Sequence, residues 1–215
     1  MNVGAKICGL STPEAVLAAL DGGAWHVGFL FFERSPRNVE PEAAARLAEP
    51  VRARGGAGVV AVTVDPDDAL LDRLSATLRP DYIQLHGKET PARAREVAER
   101  TGAAVIKVLP VSEAADIDQA RPYEPVVAHL MFEGRPPKDA DRPGGVGARF
   151  DWSLLAGRRF ARPWLLAGGL DPWNVGEAVR LSGAPLVDVS SGVERGPGLK
   201  DPALIKAFLD AVRRA

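Results

Sequence analysis

Short apolar runs alternate along the whole chain with longer stretches in which apolar residues recur at helical spacing. The short runs are rich in Val, Ile, Leu and Phe, and eight of them can be counted, each followed by a helix or a helical turn. This pattern predicts repeated βα units. The eight strands are predicted near Ala5–Cys8, Val27–Phe32, Gly58–Val64, Tyr82–Gln84, Val105–Leu109, Val126–Phe132, Trp164–Ala167 and Leu186–Val189.

Four helix starts are marked by a proline at or near the first turn, beside a polar residue that can cap the helix. The four segments are Ser11-Thr12-Pro13-Glu14, Glu40-Pro41-Glu42, Thr90-Pro91 and Asp171-Pro172. We therefore expect helices to begin at these positions.

Strands that are apolar along their whole length need cover on both faces of the sheet. Eight such strands, each followed by a helix, close most economically into an α/β fold of the (β/α)₈ type, a TIM barrel. An open doubly wound sheet is the alternative. Since no linker or low-complexity tract interrupts the pattern, we expect one domain over residues 1–215.

The composition favours a small-molecule partner. The net charge is −1 and the basic residues are spread along the chain, so neither a nucleic-acid surface nor a polybasic membrane segment is indicated. The first strand begins close to Met1 and no apolar stretch approaches the ~20 residues that span a bilayer. We expect a cytoplasmic protein, with monomer and homodimer both left open.

The chain has one cysteine, Cys8, and no metal-type spacing links it to His26, His86 or His129. We therefore expect neither a disulfide nor a metal site. A lone thiol at the end of a strand is instead a candidate proton acceptor.

In a barrel of this kind the active site lies at the carboxyl ends of the strands. The exits of the last two strands, Gly168-Gly169 and Ser190-Ser191-Gly192, supply backbone N–H groups and hydroxyls suited to a phosphate. The long stretch 134–149 follows the sixth strand, and a loop of that length often acts in function.

The motifs at these exits resemble those of the phosphoribosylanthranilate isomerase family, and the match runs from Lys6 to Asp201. The motifs are Lys6-Ile7-Cys8-Gly9-Leu10, Gly28-Phe29 with Ser35-Pro36-Arg37, Gln84-Leu85-His86-Gly87, Gly144-Gly145 with Phe150-Asp151-Trp152, Ala167-Gly168-Gly169-Leu170 with Asn174-Val175, and Asp188-Val189-Ser190-Ser191-Gly192-Val193-Glu194.

The resemblance implies an Amadori rearrangement of N-(5-phosphoribosyl)anthranilate in tryptophan biosynthesis, which needs two proton-transfer groups and no cofactor. It implies that Cys8 is the general base. Glu133 falls where the family has an aspartate as general acid, and Asp139 and Asp141 are fallback acids. The resemblance also assigns Arg37 to the anthranilate carboxylate, which suits a planar guanidinium.

Lys6 lies two residues before Cys8, so the two side chains point to the same face of the strand. A free thiol has a pKa of ~8.5, and the Lys6 ammonium could favour the thiolate. A buried cation needs a partner, and Asp188 on the neighbouring eighth strand is the candidate. His86 is expected near the mouth of the barrel, where ligand contact and a loop hydrogen bond are left open.

The phosphate is expected where the exits of strands seven and eight converge, with one contact from the long loop. The residues assigned to it are Gly168, Gly169, Ser190, Ser191, Gly192 and Gly145. Gln84 and Lys107 are expected in the polar interior of the barrel, and Trp152, Trp164 and Trp173 in the packing between helices and barrel. His26 and His129 have no motif around them and are assigned to structure.

Two alternatives remain at this level. The related histidine-pathway isomerase performs the same rearrangement on a different amine, but it uses carboxylates for both proton transfers, and the thiol argues against it. A phosphosugar-binding barrel without catalysis, or with altered specificity, is suggested by the replacement of the family aspartate by Glu133.

Overall fold

The computed structural model describes residues 3–137, 144 and 147–215. Three residues discussed above, Gly145, Asp139 and Asp141, lie outside the described residues, so their assigned roles stay predictions.

Eight parallel strands close into a barrel in chain order, and the last strand pairs with the first through Lys6 and Asp188. The predicted fold class is therefore confirmed and the open doubly wound sheet is excluded. The strands are β1 Gly4–Cys8, β2 His26–Phe31, β3 Gly58–Thr63, β4 Tyr82–Leu85, β5 Ala104–Val111, β6 His129–Gly134, β7 Trp164–Leu166 and β8 Leu186–Val189.

Within the described residues, seven helices pack their apolar faces on the outside of the barrel. They are α1 Pro13–Asp21, α2 Pro41–Arg54, α3 Asp68–Thr77, α4 Pro91–Thr101, α5 Ala114–Ile117, α6 Val175–Ser182 and α7 Pro202–Arg213. The sixth strand is followed in the described part of the chain by a 3₁₀ turn at Trp152–Leu155 instead of an α-helix.

Three of the four predicted helix starts are correct. Thr12 and Thr90 cap α1 and α4 by accepting a hydrogen bond from the N–H three residues on, and Pro41 opens α2. The start at Asp171-Pro172 is wrong, because α6 begins at Val175. The carboxylate of Asp171 accepts the N–H groups of Trp173 and Asn174, which closes a turn ahead of the helix.

Side chains alternate between the two faces of each strand, and the inward-facing ones form layers. The middle of the barrel is filled by apolar side chains: Val60, Val62, Ile106, Val108, Met131 and Leu165. Two buried polar side chains, Lys6 and Gln84, lie on the same inward faces as this apolar layer.

The segment after β8 forms a small antiparallel hairpin, β9 Glu194–Gly196 and β10 Leu199–Lys200, which the hydrophobic pattern does not predict. Trp152 and Trp164 are buried as expected, but Trp173 is 80% exposed and the expectation that it packs is wrong. It sits in the turn that precedes α6, where the chain has not yet returned to the barrel.

Among the described residues, no helix has the length and apolar character needed to cross a membrane.

Candidate active site

A narrow pocket opens at the carboxyl ends of the strands. Its polar lining residues include Cys8, Arg37, His86, Glu133, Asp188 and Ser190. All six were assigned to the site from the sequence, and the fold brings them together from β1, β6, β8 and the segments that follow β2, β4 and β8. These groups could hold a small anionic ligand and move protons to or from it.

Lys6 and Asp188 form the predicted ion pair below the pocket. The Lys6 Nζ lies 2.7 Å from Asp188 Oδ1, and the lysine side chain is fully buried. Gly28 faces this ammonium, and a Cβ at that position would stand 3.2 Å from Nζ, so glycine leaves the room that Lys6 occupies. Burial lowers the pKa of Lys6, but the charges of Asp188 and Cys8 outweigh it and the net shift is upward.

Cys8 ends β1 and its side chain lies in the wall of the pocket. Burial raises the pKa of its thiol, and the charges of Lys6 and Lys200 lower it without cancelling that effect. The charge of Asp188 adds to the upward shift. Lys6 therefore favours the thiolate less than an unpaired ammonium would, because the anion that holds Lys6 in place offsets its field.

Glu133 lies near the end of β6 and contacts His86, with 2.6 Å between Glu133 Oε2 and His86 Nε2. The other ring nitrogen of His86 lies 3.4 Å from the Gln84 amide nitrogen. Gly144, from the strand-six loop, sits over this pair. A Cβ on Gly144 would stand 2.3 Å from His86 Nε2 and 2.7 Å from Glu133 Oε2.

The loop that carries His86 is held from below by a buried ion pair that the sequence did not reveal. Lys107 donates to the Gly87 carbonyl at 2.8 Å and to Glu89 Oε2 at 2.6 Å. Glu89 in turn accepts the Gly87 N–H. Gln84 lies in the barrel interior as expected, but the expectation for Lys107 is wrong, because Lys107 shares the face of β5 that carries Val105 and Leu109 and is directed to the helices. A buried lysine on a strand was the signal that a carboxylate had to be near.

The exits of β7 and β8 lie against one another, as the phosphate assignment requires. Gly168 and Gly169 have φ values of 92° and 64°, a region that favours glycine. A Cβ on Gly192 would meet the Leu170 carbonyl oxygen at 1.9 Å, so only glycine permits this approach. Ser191 and Gly192 belong to a single 3₁₀ turn at Ser191–Val193.

Arg37 is buried and makes a two-pronged ion pair with Glu194. Arg37 Nε lies 2.7 Å from Glu194 Oε1, and Arg37 Nη2 lies 2.9 Å from Glu194 Oε2. Lys200 Nζ contacts the same carboxylate, 2.7 Å from Oε1. Sequence reasoning gave no role to Glu194 or Lys200, because they lie in a hairpin without hydrophobic periodicity.

Among the described residues, no group of three or more His, Cys, Asp or Glu side chains is arranged to hold a metal ion.

The family described as N-(5'phosphoribosyl)anthranilate (PRA) isomerase matches residues 5–211 of the chain. An N-(5'-phosphoribosyl)anthranilate isomerase of Caulobacter vibrioides is 71% identical over 212 residues, covering 99% of this chain and 96% of that protein. One from Mesorhizobium japonicum is 52% identical over 215 residues, covering 100% of this chain and 97% of that protein.

Solved structures agree with these relatives. The crystal structure of phosphoribosyl anthranilate isomerase from Thermotoga maritima superposes with a TM-score of 0.87 at 34% identity, covering 99% of this chain and 100% of that chain. An isomerase structure in complex with reduced 1-(o-carboxyphenylamino)-1-deoxyribulose 5-phosphate gives a TM-score of 0.84 at 33% identity, with the same coverage. The chain therefore belongs to the N-(5'-phosphoribosyl)anthranilate isomerase family and is an isomerase of tryptophan biosynthesis.

Proposed function

We propose that this chain converts N-(5'-phosphoribosyl)anthranilate into 1-(2-carboxyphenylamino)-1-deoxyribulose 5-phosphate, with Cys8 as general base and Glu133 as general acid. The observation that carries the assignment is that a thiol from β1 and a carboxyl from β6 line one pocket. A phosphosugar held between them would present its ring oxygen to the carboxyl and its C2 proton to the thiol. No cofactor enters the reaction.

The acid step opens the ribose ring. Glu133 gives its proton to the ring oxygen as the C1–O bond breaks, and the amine lone pair forms the C1=N bond of a protonated Schiff base. Glu133 stands where the family has an aspartate, and its extra methylene carries the carboxyl into contact with His86 at 2.6 Å. His86 thus holds the longer side chain in one position, which a proton transfer requires.

The base step removes the proton from C2. The Cys8 sulfur takes that proton, the C–H electron pair forms the C1=C2 bond, and the C=N electrons return to nitrogen, which gives the enol that becomes the ketone. The raised pKa of the Cys8 thiol leaves little thiolate at neutral pH but makes that thiolate a stronger base. The Lys6 and Lys200 charges limit this upward shift.

The remaining contacts fix the two ends of the substrate. We assign the phosphate to Gly168, Gly169, Ser190, Ser191 and Gly192, with Gly145 as a further contact outside the described residues. Asp188 uses Oδ1 for Lys6 and lines the pocket, so its other oxygen is placed to accept a sugar hydroxyl.

Arg37 is assigned to the anthranilate carboxylate. Its Nε and Nη2 atoms bind Glu194, and Nη1 makes no hydrogen bond within the part of the chain that the structure describes. Because Arg37 lines the pocket, its Nη1 is the guanidinium nitrogen available to an incoming carboxylate.

The test is turnover by the purified protein. Loss of anthranilate-type fluorescence on adding phosphoribosylanthranilate, with the aminodeoxyribulose product identified by mass and retention time, is the expected result. The histidine-pathway aminoaldose is the matched control substrate and should not be converted. Tight binding of the reduced product analogue without turnover would instead establish a phosphosugar-binding barrel.

A further inference from the structure

Lys200 is a buried lysine, and all of its hydrogen bonds are made to other groups of the protein. Its side chain is 1% exposed, and Nζ donates to Glu194 Oε1 at 2.7 Å, to the Ser190 carbonyl at 2.8 Å and to Ser190 Oγ at 3.3 Å. An ammonium has three protons. Lys200 therefore has none left for a substrate, and any part it plays in the reaction passes through Glu194 and Ser190.

Glu194 is equally occupied. Its two oxygens accept from Arg37, from Lys200 and from the Gly198 N–H at 3.2 Å. This clamp fixes the plane of the Arg37 guanidinium, and Gly9 packs against the Arg37 stem, where a Cβ would stand 2.7 Å from Cδ. Glu194 thus orients Arg37, but a carboxylate in two-pronged contact also cancels the charge that Arg37 needs to attract an anion.

We infer that Lys200 is a positioning residue for substrate recognition: by neutralising Glu194 it leaves Arg37 oriented and still attractive to the aryl carboxylate of the substrate. The inference deepens the proposed function and rests on it. In the described part of the chain, Glu194 is the only carboxylate paired with either cation, so one buried anion stands between two buried cations. Buried charges are normally balanced, and here the balance is completed when a carboxylate enters the pocket.

The charge states agree with this arrangement. Burial raises the pKa of Glu194, but its bonds with Arg37 and Lys200 outweigh that effect and hold the pKa below its usual value. Burial lowers the pKa of Lys200, and the charge of Arg37 lowers it further, against the opposing charges of Glu194 and Cys8. The surplus positive charge of the cluster therefore contributes to the lowered pKa of both Glu194 and Lys200.

Lys200 also connects the cluster to the base. Its Ser190 partner donates through Oγ to the Cys8 carbonyl at 3.3 Å, and the Lys200 charge lowers the pKa of the Cys8 thiol. Loss of Lys200 should therefore weaken carboxylate binding. It should also shift the rise of kcat/KM with pH, which follows deprotonation of Cys8, to higher pH. A lysine that only supported the hairpin would produce neither specific effect.

The experiment compares two ligands in two proteins. The reduced product analogue and its counterpart without the aryl carboxylate are titrated calorimetrically into wild type and Lys200→Met. We expect the variant to bind the carboxylate-bearing analogue about tenfold to a hundredfold more weakly, while its Kd for the other analogue changes less than about twofold. Lys206→Met, which removes an exposed lysine from α7, is the control and should change neither Kd.

Further readouts separate charge from shape. Lys200→Arg should restore most of the preference for the carboxylate, and kcat/KM of Lys200→Met should rise toward its plateau at higher pH than in wild type. Equal weakening of both analogues would overturn the inference and leave Lys200 as a structural residue. Absence of isomerase activity in wild type would overturn the proposed function instead.

If Lys200→Met does not fold, the ratio of the two Kd values is measured against pH in Cys8→Ser, where the thiol cannot titrate. The carboxylate preference should fall as Lys200 loses its proton, below the pH at which an exposed lysine does. A ratio that stays constant through the pH range in which Lys200 loses its proton would contradict the inference. Glu194 and Arg37 also face Lys200. The lowered pKa of Glu194 keeps its carboxylate charged over this range, and a guanidinium stays protonated in proteins, so neither group accounts for a change in the ratio.

Discussion

The two ends of the barrel both carry polar side chains, but they treat charge in opposite ways. At the amino end, the rings of His26, Tyr82 and His129 pack edge to face, with centroids 5.0 to 6.1 Å apart. Burial, with the Lys6 and His129 charges, lowers the pKa of His26 to about 4, so this ring stays neutral at pH 7. At the carboxyl end, Asp188, Glu133 and Glu194 each contact a basic side chain.

The two ends differ in how their buried polar groups are compensated. The cleft at the amino end, about 690 Å³, is lined mainly by rings, glycine and proline, and its one acidic residue, Asp81, accepts the Val59 N–H. The buried Nδ1 atoms of both histidines have no hydrogen-bond partner among the described residues. At the carboxyl end, β1 and β8 pair Lys6 with Asp188, and the β9–β10 hairpin supplies Glu194 and Lys200. Charge is stable only where the chain returns to compensate it.

The largest expected effect is at the base. Cys8→Ser keeps the shape of the side chain but replaces the thiol by a hydroxyl that is far harder to ionise, so kcat should fall by about 10³-fold with little change in KM. Steady-state kinetics at pH 8 measures this. His129→Gln, at the opposite end, is the control and should retain kcat; a Cys8→Ser enzyme with normal turnover would assign the base elsewhere.

The acid should come next. Glu133→Gln keeps the size of the side chain and removes the exchangeable proton, so kcat should fall by about 10²-fold. Glu33→Gln is the matched control, since Glu33 is an exposed glutamate on the loop after β2, at the same end of the barrel. If both variants turn over alike, the acid is a different group.

At the neutral end the expected effect is on stability. Between pH 6.5 and about 4 the unfolded chain binds a proton at His26 that the folded chain does not, so stability falls as the pH falls through this window. Urea unfolding at pH 7 and pH 4.5 should show that His26→Gln loses less stability than wild type, by about 2 kcal/mol. Its kcat at pH 8 should be unchanged. Equal acid sensitivity in both proteins would refute a neutral, buried His26.

The smallest effect is expected at the loop over the acid. Gly144→Ala places a methyl group where His86 and Glu133 meet, so the pair must shift and kcat/KM should fall by about tenfold. Gly176→Ala on α6 has open space around the new methyl group and should leave activity intact. Identical kinetics in the two variants would show that proton transfer from Glu133 does not depend on its contact with His86.

The sequence predicted the elements better than their ends. The eight strands are all present and α1, α2 and α4 begin as expected, because hydrophobic period and proline position are local signals. The sixth strand begins at His129 and not at Val126, and α6 begins three residues after Pro172. These boundaries depend on turns whose hydrogen bonds the pattern does not reveal.

Of the candidate site, the sequence indicated which residues would gather and not how they would pair. The Lys6–Asp188 pair followed from strand order, since side chains at the same height on adjacent strands must meet. The contacts of Glu133 with His86 and of Arg37 with Glu194 join residues 47 and 157 positions apart. No local rule brings such residues together.

What the sequence alone determined is the barrel and the set of groups at its mouth, because periodicity and strand-end position depend on each residue's near neighbours. Only the tertiary structure decided the charge state of that mouth. It left the thiol of Cys8 with a raised pKa, shared Glu194 between Arg37 and Lys200, and turned Trp173 outward. Burial and ion pairing are set by what surrounds a side chain in three dimensions, and the surroundings come from distant parts of the chain.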